Sequence, residues 1–328
     1  MTVRRRSTIV ALCVFTALVA PALAQPKKKT PPPVPPPTPS ATANVDNSKA
    51  DLAYGALQRG KYLTALAEAT KRAQQNDPAA MTLLGLIYAQ GLGVAEDNNK
   101  AAEWYKLAAA HGDREAMFAL AMFNLEGRTG ARNPDEAARL LAAAAKLGHA
   151  AAAYDLGLLY LQGQHFPQDF ARAAELFRQA SDAGNSDAQY ALATMYKEGR
   201  GVPKDPNETA RLMGQASVAG NLDAIVEYAI AQFNGSGIAK NEAAAAQLFL
   251  KAAHRGSAIA QDRLARILMA GRGMPADPTE AVKWHIVAKA GNAGDPDLDA
   301  FAAKQTQQVR EAAEKAAKMW LSTAAPRS

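Results

Sequence analysis

Glycine recurs through the middle of this chain at an unbroken spacing of 36 residues. The series is Gly91, Gly127, Gly163, Gly199, Gly235 and Gly271. Three further series of small residues keep the same step and begin at Gly85, Ala108 and Gly112. Self-similarity at a fixed period of this size is typical of stacked helical repeats. The spacing therefore predicts an all-α solenoid of about six repeats.

Each repeat has the pattern of two helices joined by a tight turn. In residues 80–112, apolar or small residues fall at 80, 84, 87 and 88 and again at 101, 104, 105 and 108, which is the spacing of two amphipathic helices. Gly91 and Gly112 follow the two helices, where glycine takes a left-handed C-cap conformation without strain. Gly85, Ala101 and Ala108 allow the backbones to approach closely. A single hairpin cannot bury its apolar face, so neighbouring hairpins must stack.

The residues of the first unit resemble a known repeat. They include Leu84-Gly85, Tyr88, Gly91-Leu92-Gly93-Val94, Asp97, Lys100-Ala101, Trp104-Tyr105, Ala108-Ala109 and Gly112. This pattern is similar to the Sel1-like repeat, a relative of the tetratricopeptide repeat, and the resemblance covers residues 80–291. The second and third copies depart from it, because Thr129 and His165 stand where the turn has its second glycine.

Both ends of the repeat array look capped. Residues 48–76 predict a shorter tetratricopeptide-like hairpin, with Asp77-Pro78 opening the solenoid of residues 77–293. Residues 294–322 predict one capping helix that begins at Asp295-Pro296, followed by a tail at 323–328. The alternative interpretation of that helix is an amphipathic segment that binds a partner.

The N-terminal segments have the features of export. Arg4–Arg6, a short apolar stretch from Ile9 to Ala20, and Ala22-Leu23-Ala24 predict a signal peptide over residues 1–24, cleaved after Ala24. The alternative is an uncleaved N-terminal anchor. Cleavage would leave no transmembrane segment and a periplasmic or secreted protein. Residues 25–47, rich in proline and lysine, predict a disordered linker, with a docking peptide or a basic contact to lipid or glycan as alternatives.

Charge and cysteine content exclude several classes of function. The formal net charge is +6, but residues 1–24 carry +3 and residues 25–50 another +3, so residues 51–328 are neutral. A nucleic-acid-binding protein needs a sustained basic face, which this chain lacks. Cys13, the only cysteine, lies in the predicted signal peptide, so the mature chain would contain no disulfide, thiolate nucleophile or cysteine metal ligand.

No catalytic, cofactor-binding or metal-binding motif stands out. The five histidines share no repeat position, and His165 with Asp169 is only a loose pair for a metal ion. Ser236 lies between two glycines in a turn between helices, whereas a nucleophile elbow requires a strand before it. We therefore predict a protein that is not an enzyme and has no cofactor, with a site assembled across repeats as the remote alternative.

The resemblance implies a binding surface, since Sel1-like proteins act mainly as adaptors and regulators. Some bacterial periplasmic members restrain membrane sensor kinases. We predict a groove that binds a partner protein or peptide, with regulation of a membrane signalling protein or of an envelope process as its expected role. The candidate groove residues share one repeat position and are Tyr88, Asn124, Tyr160, Tyr196 and Gln232. The alternative hypothesis is an envelope-organising protein that binds cell-wall glycan.

Overall fold

A computed structural model of the chain describes residues 52–164 and 166–324, and all of the secondary structure in these ranges is helical. The predicted signal peptide, the linker and His165 lie outside the described residues. The helices are α1 (Leu52–Gln58), α2 (Tyr62–Ala73), α3 (Pro78–Gln90), α4 (Asn98–Ala110), α5 (Arg114–Glu126), α6 (Pro134–Lys146), α7 (Ala150–Gln162), α8 (Phe170–Asp182), α9 (Ser186–Glu198), α10 (Pro206–Val218), α11 (Leu222–Asn234), α12 (Glu242–His254), α13 (Ala258–Ala270), α14 (Pro278–Ala290), α15 (Pro296–Ala303) and α16 (Gln307–Ala324).

Helices α3 to α14 form six hairpins, and each helix packs against the one before it and the one after it. This arrangement confirms the predicted α-solenoid. In every repeat the first helix is odd-numbered and the second helix is even-numbered. Among the described helices, none is both long and apolar enough to cross a membrane.

Small residues set the distance between the two helices of a hairpin. Ala101 and Ala108 are completely buried on α4. A Cβ atom placed on Gly85 of α3 would lie only 2.5 Å from the ring of Tyr105 on α4. Because protein interiors are close-packed, this contact leaves no room for a larger side chain at residue 85. The helices therefore approach as closely as the sequence predicts.

Every repeat helix begins at a capping residue that recurs with the 36-residue step. The first helices use Asp77, Asp113, His149, Asn185, Asn221 and Ser257, and the second helices use Asp97, Asn133, Asp169, Asp205, Asn241 and Asp277. In each case the side chain accepts a hydrogen bond from a main-chain N–H of the first turn. Such caps contribute about 1 kcal/mol each to helix stability.

The second glycine of the turn joins one repeat to the previous one. A Cβ atom on Gly237 would lie 1.9 Å from the carbonyl oxygen of Pro206, at the start of the preceding second helix α10. Gly201 and Gly273 make the same approach to α8 and α12. The second copy has Thr129 at this position, and its displaced Gly130 has no atom within 4 Å of an added Cβ. The departure at Thr129 thus marks a turn that packs differently from those of Gly201, Gly237 and Gly273.

The C-terminal segment differs from the predicted single helix. It forms two helices: α15 ends at Ala303, and α16 begins at Gln307. Helix α16 packs on α14, where the ring of Trp320 meets the buried ring of Trp284 at a centroid distance of 5.2 Å. The two helices cover the last repeat, as a capping element of a solenoid must.

We expect Gly237→Ala to lower the unfolding temperature more than Gly256→Ala does. Both glycines have positive φ, 69° and 89°, so both substitutions introduce backbone strain of about 1 kcal/mol. Only the alanine at residue 237 would also collide with main-chain atoms, which adds about 1–3 kcal/mol of overpacking. Thermal unfolding followed by circular dichroism measures the difference. Equal losses would contradict the contact between repeats.

We expect Trp320→Ala to destabilise the end of the solenoid by about 2–4 kcal/mol, because large-to-small changes at aromatic packing sites have effects of this size. Amide hydrogen exchange in α14 and α16 should accelerate. The matched control is Met319→Ala, since the neighbouring Met319 side chain is 68% exposed. Unchanged exchange in Trp320→Ala would show that α16 does not cap α14.

Candidate binding surface

The first helix of each repeat carries a partly exposed side chain at one fixed position, and this side chain is charged only in the last repeat. The residues are Leu86, Met122, Leu158, Thr194, Ile230 and Arg266. Leu86 and Met122 pack against the hydrophobic core and still keep exposed surface. We call the surface formed by these six residues the first-helix face. Its large apolar members are available for contact with another molecule.

Two depressions flank α11 on this face. One, of about 350 Å³, lies between α11 and α13, and the other, of about 360 Å³, lies between α9, α10 and α11. Ile230 lines both depressions, so its side chain stands between them. These volumes lie near the lower end of the range of about 300–1,000 Å³ that is usual for small-molecule sites. They suit individual side chains of a protein partner.

The two depressions differ in charge. Across the α9–α11 depression, the ammonium of Lys197 lies 2.7 Å from the carboxylate of Glu227. The repeat-equivalent residues of the α11–α13 depression are Phe233 and Arg263. Lys197 and Glu227 neutralise each other, whereas an aromatic ring cannot neutralise an arginine in the same way. The α11–α13 depression therefore presents the greater unbalanced charge.

The sequence-predicted candidates lie two positions after the residues of the first-helix face, and the structure distributes them. Tyr196 lines the α9–α11 depression, and its hydroxyl accepts a hydrogen bond from Arg178 at 3.1 Å. Asn124 lines a different depression that also includes residues of α4 and α6, and its Nδ2 donates to the carbonyl of Leu120 at 2.8 Å. These two candidates do not share one pocket.

The other three candidates have separate surroundings. The ring of Tyr88 lies 5.4 Å from the ammonium of Lys100. The ring of Tyr160 lies 6.1 Å from that of Phe166. Gln232 has a buried side-chain oxygen with no hydrogen-bond partner among the described residues.

The candidate residues share a role of the main chain. At each of these positions the carbonyl oxygen accepts a hydrogen bond from the N–H of the residue that caps the second helix, for example from Asp97 to Tyr88 at 2.9 Å and from Asn241 to Gln232 at 2.8 Å. This bond closes the turn between the two helices. Every amino acid provides a main-chain carbonyl, so this hydrogen bond does not restrict the side chain at these positions.

Sequence analysis missed residues that line the α11–α13 depression, above all Phe233 and Arg263. Their signal was the change from apolar to charged residues at equivalent repeat positions. Residue 83 and its equivalents read Leu83, Ala119, Asp155, Ala191, Glu227 and Arg263. The prediction rested instead on the repeat position of Tyr88, Tyr160 and Tyr196, where aromatic residues recur.

The described histidines that are buried have structural partners. His149 caps α7, because its Nδ1 accepts a hydrogen bond from the N–H of Ala152 at 3.0 Å. Its Nε2 then carries the proton and donates to Glu115 at 3.1 Å. The ring of His149 also stacks on that of Phe118 at 4.5 Å. Within the described ranges, no group of three or more His, Cys, Asp or Glu residues could hold a metal ion.

Asp155 is the least compensated carboxylate among the equivalents of residue 83. Burial raises the pKa of Asp155 from 3.8 to about 6. The folded protein therefore binds this proton more tightly than the unfolded chain. The contribution to stability is full below pH 4 and is lost as the pH rises to about 6.

We expect Asp155→Asn to unfold at a higher temperature than the unsubstituted protein at pH 7.5, because the amide removes a partly buried charge. The advantage should be about 1–2 kcal/mol and should shrink towards pH 4, where Asp155 is protonated. Thermal unfolding at several pH values measures it. Glu103→Gln, at an exposed site on α4, is the control and should show no comparable trend. A gap that does not change with pH would contradict the raised pKa.

Comparison with solved structures supports the fold. A Sel1 repeat protein from Oxalobacter formigenes is 28% identical, with a TM-score of 0.61 over 73% of this chain and 97% of that one. The protective antigen c5321 of uropathogenic Escherichia coli, described as displaying an SLR fold, is 25% identical, with a TM-score of 0.56 over 81% of this chain and 65% of that one. The curated protein sequences contain no significant match.

The sequence model of the Sel1 repeat matches six consecutive segments. They are residues 78–113, 114–149, 150–185, 186–221, 222–257 and 258–292. These segments coincide with the six hairpins from α3 to α14. The match covers more than half of the chain and agrees with the resemblance seen in the first unit. The chain therefore belongs to the Sel1 repeat family.

Proposed function

We propose that this protein is an exported, non-catalytic scaffold that binds a partner protein or peptide on the first-helix face. Sel1 repeat proteins are generally protein-interaction scaffolds, and their fold is typically non-catalytic. The observation that carries the proposal for this chain is Ile230, which stands partly exposed between two depressions. An apolar side chain in such a position gains by being covered, since burial contributes about 25 cal/mol per Å² of apolar surface.

The composition of the face supports a protein partner. Leu86, Met122 and Leu158 repeat the partly exposed apolar position of Ile230 on successive first helices. A partner that lies across successive first helices could contact several of these side chains at once, as ligands of other repeat proteins do. Charged residues such as Glu227 and Arg263 stand beside this apolar row and would fix the register of the partner.

Export is part of the proposal and rests on residues 1–24. The basic, apolar and small-residue segments have the order of a signal peptide. The partner would then be a membrane, periplasmic or secreted protein, and regulation of a membrane signalling protein is the specific role that we propose.

We expect a photoreactive benzoylphenylalanine at Thr194 to crosslink one partner protein in intact cells. Thr194 belongs to the first-helix face. The same group at Val218, on α10 and 88% exposed, is the matched control and should yield no such product. Adding Ile230→Glu should abolish the crosslink from Thr194, because a carboxylate would interrupt the apolar row.

Identical products from Thr194 and Val218, or no product from either, would contradict a partner on this face. Recovery of the protein only with purified cell-wall sacculi would favour the glycan hypothesis. Mass spectrometry of the crosslinked products distinguishes these outcomes.

A further inference from the structure

The α11–α13 depression combines an apolar floor with an arginine-rich rim. Ile230, Phe233 and Met269 provide apolar surface, and Arg263, Arg266 and Arg272 line the same depression. No carboxylate is among its lining residues. An apolar site of this kind with only cationic groups at its edge attracts a ligand that is both apolar and anionic.

Two of the three arginines are already neutralised by carboxylates outside the depression. Arg272 pairs with Glu242 at 2.5 Å and lies over the ring of Phe233, 4.4 Å from its centroid. Arg272 and Lys240 hold the pKa of Glu242 at about 2, so this partner stays ionised.

Arg266 is held on the opposite side of the depression. Its guanidinium pairs with Asp295, which is 5% exposed and caps α15, and it lies 3.6 Å from Asp297 and 3.8 Å from Asp262. These contacts fix Arg266 towards the C-terminal cap. Neither Arg266 nor Arg272 therefore requires a further anion.

Arg263 is different. It is exposed and makes no ion pair or hydrogen bond with any residue in the ranges 52–164 and 166–324. At the previous junction the equivalent residue, Glu227, is paired with Lys197 at 2.7 Å. Phe233 takes the place of that lysine at the α11–α13 junction. Asp262, the acidic residue next to Arg263 in the sequence, lies 3.8 Å from Arg266 and acts on Arg263 only at longer range.

We propose that the α11–α13 depression binds a peptide segment of the partner in which a large apolar side chain stands next to a carboxylate. The apolar side chain would cover Ile230, Phe233 and Met269, and the carboxylate would pair with Arg263. A guanidinium can bind a carboxylate through two parallel hydrogen bonds, which fixes orientation as well as charge. This inference rests on the proposed function and specifies which chemistry the first-helix face selects.

The arrangement has the features of a binding hot spot. Arginine and aromatic residues are enriched where an interface carries most of its binding energy, and the Phe233–Arg272 stack places both at one point. The carboxylate of a partner would meet the exposed guanidinium of Arg263. Because Arg263 has no internal ion pair, binding would not have to break one.

The test is selection of phage-displayed random 12-residue peptides on the full chain. We expect the enriched peptides to contain Asp or Glu within two positions of Phe, Trp, Leu or Met. Their affinity, measured by fluorescence polarisation of synthetic copies, should fall about tenfold or more for Arg263→Glu. Arg263→Lys should have a smaller effect, since lysine keeps the charge and loses the paired hydrogen bonds. Lys251→Glu, at an exposed site on α12, is the charge-reversal control and should bind as the unsubstituted protein does.

A charge exchange makes the assignment specific. A peptide whose carboxylate is replaced by lysine should bind poorly to the unsubstituted protein and regain affinity for Arg263→Glu. Enriched peptides that lack a carboxylate, or that bind Arg263→Glu unchanged, would overturn this inference and leave the scaffold function intact. Failure to enrich any peptide, together with no crosslink from Thr194, would overturn both.

Discussion

The structure depends on the fact that a single helical hairpin of this sequence cannot bury its own apolar face. Small residues such as Gly85 and Ala108 bring the two helices of a hairpin close together, but the remaining apolar side chains reach into the next hairpin. Gly201, Gly237 and Gly273 then bring their turns into close contact with the repeat before. Stacking is therefore the condition for folding, and the capping helices α15 and α16 end the stack against the last repeat.

This constraint also explains why the first-helix face is free to change. Positions that contact the neighbouring helices are restricted to small or apolar residues, and positions that cap helices are restricted to short polar ones. The equivalents of residue 83, which stand beside the first-helix face, are buried only in the first repeat, at Leu83, and elsewhere vary from Ala191 to Glu227 and Arg263. Variation at such a position changes what the solenoid binds without changing how it stacks. A scaffold can thus acquire a new partner through a few substitutions on one face.

The sequence leaves the binding surface less defined than the fold. The aromatic residues Tyr88, Tyr160 and Tyr196 share a repeat position, but their common contribution is a main-chain carbonyl that closes the turn. Periodicity identifies equivalent positions and gives no information about which side chains meet across two helices. The pairing of Lys197 with Glu227 depends on how closely the first helices of neighbouring repeats approach, and Phe233 removes the equivalent pair beside Arg263.

The amino-acid sequence by itself determined the repeat, its helical hairpins, their caps and the family, because each of these depends on residues within one 36-residue period. The altered packing of the turn at Thr129 and the break between α15 and α16 needed the structure. So did the depressions beside α11, since their walls come from residues in neighbouring repeats, such as Phe233 and Arg263. Local spacing fixes a helix and its ends, whereas a binding surface is made by side chains that only stacking brings together.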